Sequence, residues 1–123
     1  MSCTDCKFKV GQIGAILVVD LVQVDALGVE TPFDVSAAST LQIVVGKPST
    51  AASTPQTFTA VFALAADGGT GDGTDGKIKM TTTLATDFDV SGDYEAEPYI
   101  VDATTGFDGR AQRVRFSVDP VIA

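Results

Sequence analysis

Apolar and polar residues alternate with a period of two along several segments of the chain. The alternation is clearest in residues 57–64, 77–82 and 110–118, where the side chains of one face are mainly apolar. A period of two is typical of a β-strand that buries one face and exposes the other. Further strands are predicted at residues 8–14, 40–46 and 94–101. Pro98, which cannot donate a main-chain hydrogen bond, predicts an edge or a bulge in the last of these.

Two segments depart from this alternation. Residues 15–24 are almost continuously apolar, as expected for a strand that is covered on both sides or that lies at a subunit contact. Residues 67–76 contain five glycines and predict a flexible loop tip between two strands.

About seven short strands separated by turns predict an all-β fold, an immunoglobulin-like β-sandwich. We expect an N-terminal arm at residues 1–7, the sandwich at 8–119 and a C-terminal tail at 120–123. The chain has no Trp and neither Cys lies in the central domain, so the intersheet disulfide of antibody domains is absent. The expected buried residues are Leu41, Ile43, Phe58, Phe62, Ile78, Tyr94, Val114 and Phe116.

Composition supports strands and narrows the function classes. Val and Thr, 15 of each, outnumber the 6 Leu, and β-branched side chains favour pleated surfaces. The chain has no His, which excludes Ser-His-Asp and Cys-His catalysis within it, and we expect neither an enzyme nor a cofactor. The net charge of −8 argues against nucleic-acid and anionic-membrane partners.

The N-terminal arm contains a C-x-x-C motif, formed by Cys3 and Cys6. Two thiols supply only half of the ligands of a zinc site, and no His completes it. Free thiols are the favoured interpretation; ligands shared between symmetric subunits, or oxidation, remain alternatives. We expect the arm, which extends from residue 1 to Lys7, to become ordered only when it contacts a neighbouring subunit.

Acidic and basic clusters offer three further candidates. Asp67, Asp72 and Asp75 could bind calcium, but their spacing misses the EF-hand pattern and a solvated turn is favoured. Three carboxylates around Gly92 could form a glycosidase pair, although turn capping is favoured; these are Asp87, Asp89 and Asp93. A third cluster is either a solvated strand face or a docking patch for an acidic neighbour such as another copy; its members are Arg110, Arg113 and Arg115.

An ordered series of motifs gives the chain a family resemblance. The segments are TLQIVVGKPS at 40–49, FTAVF at 58–62, GTDGKIKMTT at 73–82, DVSGDY at 89–94, YIVD at 99–102 and RVRFSV at 113–118. This series resembles small immunoglobulin-like proteins of tailed bacteriophages, similar to the N-terminal domain of the phage baseplate upper protein. The resemblance implies a structural part of the virion, assembled in the host cytoplasm, with no catalytic residues to carry over.

The expected function is therefore that of a non-enzymatic virion protein, an adaptor or docking module of the tail or baseplate region. Its expected partners are other virion proteins, with symmetric homo-oligomers in the particle. A capsid decoration protein, or a receptor- or carbohydrate-binding module using Tyr99, are the alternatives. The expected partner-binding residues are Cys3, Cys6, Lys7, Arg110, Arg113 and Arg115.

Overall fold

The computed structural model describes residues 7–24, 26–48, 55–104, 106–111 and 113–120. Within these ranges the chain forms eleven β-strands and a single 3-10 turn, at Ala65–Asp67. The predicted all-β fold is confirmed. No helix in the described part of the chain is long and apolar enough to cross a membrane.

The larger sheet is built around its longest strand. β9 pairs with β5 on one side and with β11 and then β10 on the other, always antiparallel. β6 extends the sheet beyond β5, and β1 pairs in parallel with β11 at the opposite edge. The strands are β1 (Lys7–Lys9), β5 (Thr40–Gly46), β6 (Gln56–Thr59), β9 (Gly92–Asp102), β10 (Phe107–Arg110) and β11 (Val114–Asp119).

The smaller sheet has the strand order β2-β8-β7 and packs over the larger one. Its strands are β2 (Ile16–Asp20), β7 (Val61–Phe62) and β8 (Lys77–Thr81), and a separate hairpin joins β3 (Val22–Val24) to β4 (Glu30–Pro32). In immunoglobulin domains the second, fifth and fourth strands form one sheet, and β2, β8 and β7 have this arrangement here. The third, sixth and seventh strands form the other sheet, and they correspond to β5, β9 and β11. The described strands therefore form a sandwich of immunoglobulin-like topology.

A corner made by Tyr94 joins the two sheets at the start of β9. Its hydroxyl donates to the carbonyl of Val90 at 2.6 Å and accepts the N–H of the same residue at 3.2 Å. Burial raises the pKa of Tyr94. Immunoglobulin domains use a similar tyrosine corner, with the hydroxyl bonded to backbone a few residues upstream. The SGDY sequence at 91–94 thus places the Tyr94 hydroxyl against the main chain of Val90.

Half of the expected core residues are fully buried. Ile43, Ile78, Tyr94 and Phe116 lie in the core, and Phe88, which the period-two pattern does not mark, lies there too. The other four expected core residues were wrongly predicted to be fully buried: they are half-buried and pack against the core from strand ends and edge strands. These are Leu41, Phe58, Phe62 and Val114.

The apolar run at 15–24 is two strands, interrupted at Leu21, with only one face buried. Leu17, Val19 and Leu21 point into the core, whereas Ile16 and Val22 are each 40% exposed. The prediction of a strand covered on both sides is wrong because β2 is an edge strand and β3 leaves the sandwich. The alternative that the sequence left open, a subunit contact, stays a prediction.

The glycine-rich segment is not the flexible loop tip that the sequence predicts. Gly73 and Gly76 are buried, and their carbonyls accept the N–H groups of Val35 and Leu21 at 2.9 and 2.8 Å. A Cβ on Gly76 would lie 2.4 Å from the carbonyl oxygen of Leu21. Glycine is required here because the main chain packs closely below the β3–β4 hairpin.

Pro98 occupies a central strand rather than an edge. It lies opposite Ile43 of β5 and is buried. On its other side, β11 pairs with β9 only as far as Ala96, and β10 begins pairing at Tyr99. The proline therefore sits at the interruption between two successive neighbours.

Candidate docking surfaces

The N-terminal candidates fall at the margin of the described structure. Cys3 and Cys6 lie outside the described residues. Lys7, which the sequence places in the arm, opens β1, and its main chain lies opposite Ser117 of β11. Lys7 therefore belongs to a strand of the larger sheet, and a role of the arm in attachment stays a prediction.

The three arginines gather on the outer face of the larger sheet, where alternation predicts Arg113 and Arg115. Strand register brings them to two carboxylates of β9, Glu95 and Glu97. Arg113 Nε lies 2.7 Å from Glu97 Oε2, and Arg110 Nη1 lies 2.9 Å from Glu97 Oε1. Arg113 also reaches Glu95 at 3.2 Å, while Arg115 is 3.8 Å from it. We call these five residues the Arg–Glu face.

The charges of the Arg–Glu face are largely compensated within the chain. Hydrogen bonds from Arg113 and Arg110 lower the pKa of Glu97, and Glu97 in turn raises the pKa of Arg113. Exposed pairs of this kind contribute little to stability, because water and salt screen them. Arg115 is the least engaged arginine, with its side chain 81% exposed. Three cations facing two carboxylates leave a weakly basic surface, so this face offers a modest attraction for an acidic neighbour.

Tyr99 is engaged on the same face. Its hydroxyl donates to Asp108 Oδ1 at 2.7 Å, and this contact raises the pKa of Tyr99. The guanidinium carbon of Arg110 lies 5.9 Å from the ring centroid. One side of the ring is therefore occupied by a cation–π contact, which reduces the flat aromatic surface that sugar stacking uses.

The carboxylates of the glycine-rich segment make an ion pair and hydrogen bonds with other groups of the protein. Asp67 pairs with Lys79 at 2.7 Å, and Asp75 accepts the N–H groups of Thr70 and Lys77. No group of three metal-ligating side chains occurs among the described residues. In the structure these carboxylates form the turn contacts that the sequence favoured over calcium.

Asp72 provides a measurable signature of this arrangement. Hydrogen bonds from Thr70 and Thr74 lower the pKa of Asp72 from 3.8 to about 2. Because the folded pKa is the lower one, the stabilisation is complete above pH 3.8 and is lost as the pH falls through about 2. We expect Thr70→Val to move the Asp72 titration, followed by carboxyl-carbon NMR, back toward 3.8. The titration of Asp89, which Lys47 holds down independently of Asp72, should not move; an unchanged Asp72 would contradict the assignment.

The three carboxylates around Gly92 do not share a site. Asp87 is buried and accepts the N–H groups of Thr83 and Leu84, which is the predicted turn capping. Asp89 instead pairs with Lys47 at 2.6 Å, a contact that lowers the pKa of Asp89. The third, Asp93, lies 3.4 Å from the hydroxyl of Ser117.

Among the described residues, the most exposed large apolar side chain, Leu27, lies on the β3–β4 hairpin, of which the sequence patterns marked only the first strand, within the apolar run at 15–24. Every residue of both strands is exposed, and Val24, Leu27 and Val29 are 62%, 88% and 52% exposed. The segment 20–34 contains acidic residues but no Lys or Arg. The sequence signal for this exposed surface is the DALG segment at 25–28, which has aliphatic residues on both sides.

The hairpin is attached to the domain through its base. Phe33 donates its N–H to the carbonyl of Leu21 at 2.9 Å, and the ring of Phe33 packs edge-on against Phe107 at 5.1 Å. A two-stranded hairpin is marginally stable in water, so contacts at its base are needed to hold it.

Comparisons with protein-family models, curated proteins and solved structures found no match for the chain.

Proposed function

We propose that the protein is a non-enzymatic structural component of a tailed-bacteriophage particle. It acts as an adaptor or docking module of the tail or baseplate region and binds neighbouring virion proteins. The ordered motif series supports this proposal through its resemblance to phage immunoglobulin-like proteins. The single structural observation that supports a docking role is the β3–β4 hairpin, which presents aliphatic side chains to solvent.

The hairpin has the properties of a docking element. Exposed apolar side chains such as Val24 and Leu27 gain about 25 cal/mol for each Å² that a partner removes from water. Contiguous apolar exposure is unusual on a monomer and commonly marks an interaction site. The acidic residues flanking these side chains, including Glu30, favour a partner whose contact surface is apolar with a basic rim.

A leucine substitution at the hairpin tip tests this function. We expect Leu27→Ser to reduce incorporation into particles by about tenfold, because it removes the most exposed apolar side chain of the hairpin. Incorporation is measured by quantitative mass spectrometry of gradient-purified particles and of their separated head and tail fractions. The matched control is Leu84→Ser, an equally drastic change at a residue that is 59% exposed in another loop.

Three outcomes would contradict the proposal. The first is absence of the wild-type protein from purified particles. The second is equal incorporation of the Leu27 and Leu84 variants, which would remove the hairpin as the attachment. The third is specific binding of the isolated protein to a glycan array, which would favour a carbohydrate-binding module. Recovery with the head fraction rather than the tail fraction would instead identify a capsid decoration protein.

A further inference from the structure

A shallow groove lies on the outer face of the larger sheet, along β5. Ile43 and Val45 point into the core, so the alternating residues Val44 and Gly46 face outward and form the floor of the groove. Pro55 lines it on the side of β6, and four residues of the Arg–Glu face line it on the side of β9. The groove has a volume of about 200 Å³, and its apolar floor has room for one aliphatic side chain.

Basic side chains form one rim of this groove. Arg110 and Arg113 line it, and Arg115 belongs to the same face with its side chain 81% exposed. The three arginines of the Arg–Glu face meet two carboxylates, so one positive charge is in excess there. Three lysines of other strands bond instead to groups outside this face; they are Lys47, Lys77 and Lys79. The groove thus combines an apolar floor with a weakly basic rim.

The β3–β4 hairpin has the complementary shape and charge. Its tip presents Leu27, 88% exposed, between two strands whose residues are all exposed. Glu30 begins β4, and the segment 20–34 contains no Lys or Arg. Complementary shapes and charges determine which surfaces pair and in which orientation. A protruding aliphatic side chain near acidic groups therefore fits a concave apolar floor near arginines.

The hairpin and the groove lie on opposite sheets of the sandwich. Leu21, at the base of the hairpin, donates its N–H to Gly76, which directly precedes β8 of the smaller sheet. The groove lies on the side of the larger sheet that faces away from the core. Because the core lies between the two sheets, the hairpin is held away from the groove of its own chain. A contact between these surfaces consequently joins two copies.

We infer that the β3–β4 hairpin of one copy docks into this groove on a second copy. Leu27 covers Val44 and Gly46, and Glu30 lies beside Arg113. The inference rests on the proposed function, since it identifies another copy as a partner of the docking hairpin. The second copy is the occupant because one chain supplies both halves of the contact, and each half has the shape and charge that the other requires.

The contact is heterologous, because each copy contributes its hairpin to one neighbour and its groove to another. Such contacts repeat from copy to copy and close into a ring when the rotation between neighbours permits it. A hairpin tip covers less surface than a standard protein interface, so we expect weak association between free copies. In a ring each copy is held on two sides, which strengthens the assembly.

Two variants that each keep one half of the contact test the pairing. Leu27→Ser retains the groove but lacks the aliphatic tip, whereas Arg113→Glu retains the hairpin but reverses a charge at the rim. Far-UV circular dichroism reports whether each variant is folded. In sedimentation equilibrium, we expect the mixture to form a one-to-one dimer at least about tenfold more tightly than either variant associates with itself. The wild-type protein should form species larger than a dimer as its concentration approaches about 1 mM.

Amide NMR shifts locate the two surfaces. Nitrogen-15-labelled Leu27→Ser, titrated with unlabelled Arg113→Glu, should show shifts at Val44 and Gly46. With the labels exchanged, the shifts should appear at residues 22–32 of the hairpin. Shifts confined to other surfaces, or a mixture that associates no more tightly than each variant alone, would overturn the inference.

Lys9→Glu is the matched control for charge. It changes the net charge by the same amount as Arg113→Glu, but in β1 at the edge of the sheet, outside the groove. The Lys9 variant should associate with itself as strongly as the wild-type protein does. Equal losses for the Lys9 and Arg113 variants would show that net charge governs the association, and this result would refute docking in the groove.

Particle incorporation separates failure of this inference from failure of the proposed function. A wild-type protein that stays monomeric at about 1 mM, but whose Leu27→Ser variant is lost from particles, would refute the second copy as the partner and leave the docking function standing. A mixed dimer formed by a protein that is absent from particles would support the hairpin–groove contact and refute the virion function.

Discussion

Replacing Phe88 with alanine is expected to lower the free energy of unfolding by about 3–5 kcal/mol, the range for deleting a fully buried ring. Phe88 is 0% exposed. Its ring centroid lies 5.5 Å from Phe8, 5.5 Å from Tyr94 and 5.2 Å from Phe116. These contacts connect β1, β9 and β11 through one ring, so the cavity would open where three strands meet. Urea unfolding followed by tyrosine fluorescence and circular dichroism measures the loss.

Phe62→Ala is the matched control for this substitution. Full burial of Phe62, which its alternation predicts, would give a similar loss, but the side chain is only half-buried at the end of the edge strand β7. We therefore expect a loss of about 1–2 kcal/mol, below that of a fully buried ring. Equal losses for the two variants would show that Phe88 is not the centre of the aromatic cluster.

The contrast between these phenylalanines shows how far the sequence predicts the core. The strand predicted at residues 40–46 has the bounds that the structure gives. Period-two alternation also predicts Phe62 to be a core residue. Alternation indicates which face of a strand a side chain lies on, but not how deeply the strand itself is buried. It cannot mark Phe88, which lies in a turn and enters the core only because the two sheets close over it.

The sequence likewise predicts only part of the candidate surfaces, namely the face on which a side chain lies but not its partners. Alternation places Arg113 and Arg115 on one outer face, and the structure confirms this position. Their pairing with Glu95 and Glu97 depends on the register between β9 and β11, which involves residues about 20 apart in sequence and has no local signal. The edge position of β2 depends likewise on which strands are neighbours, so the apolar run alone left its two interpretations open.

The second large expected effect on stability is that of substituting Gly76, which lies at the base of the β3–β4 hairpin. Gly76→Ala should lower the free energy of unfolding by about 3 kcal/mol or more, combining the left-handed backbone with a steric clash. Gly76 has a φ of 73°, and a Cβ would lie 2.4 Å from the carbonyl oxygen of Leu21 and 2.8 Å from that of Phe33. Both oxygens belong to main chain held in the fold, so neither can move aside without breaking a strand end.

Gly71→Ala separates the two contributions to this loss. Gly71 also has a positive φ, 85°, but no other group lies within 4 Å of the position that an added Cβ would occupy. We expect about 1–2 kcal/mol for this control, the cost of a left-handed alanine alone. Hydrogen exchange provides a second measurement, because the N–H of Leu21 bonds to the carbonyl of Gly76. Gly76→Ala should speed exchange at Leu21 and Phe33, while Gly71→Ala should not; equal behaviour of the two variants would mean that the glycine-rich segment does not support the hairpin.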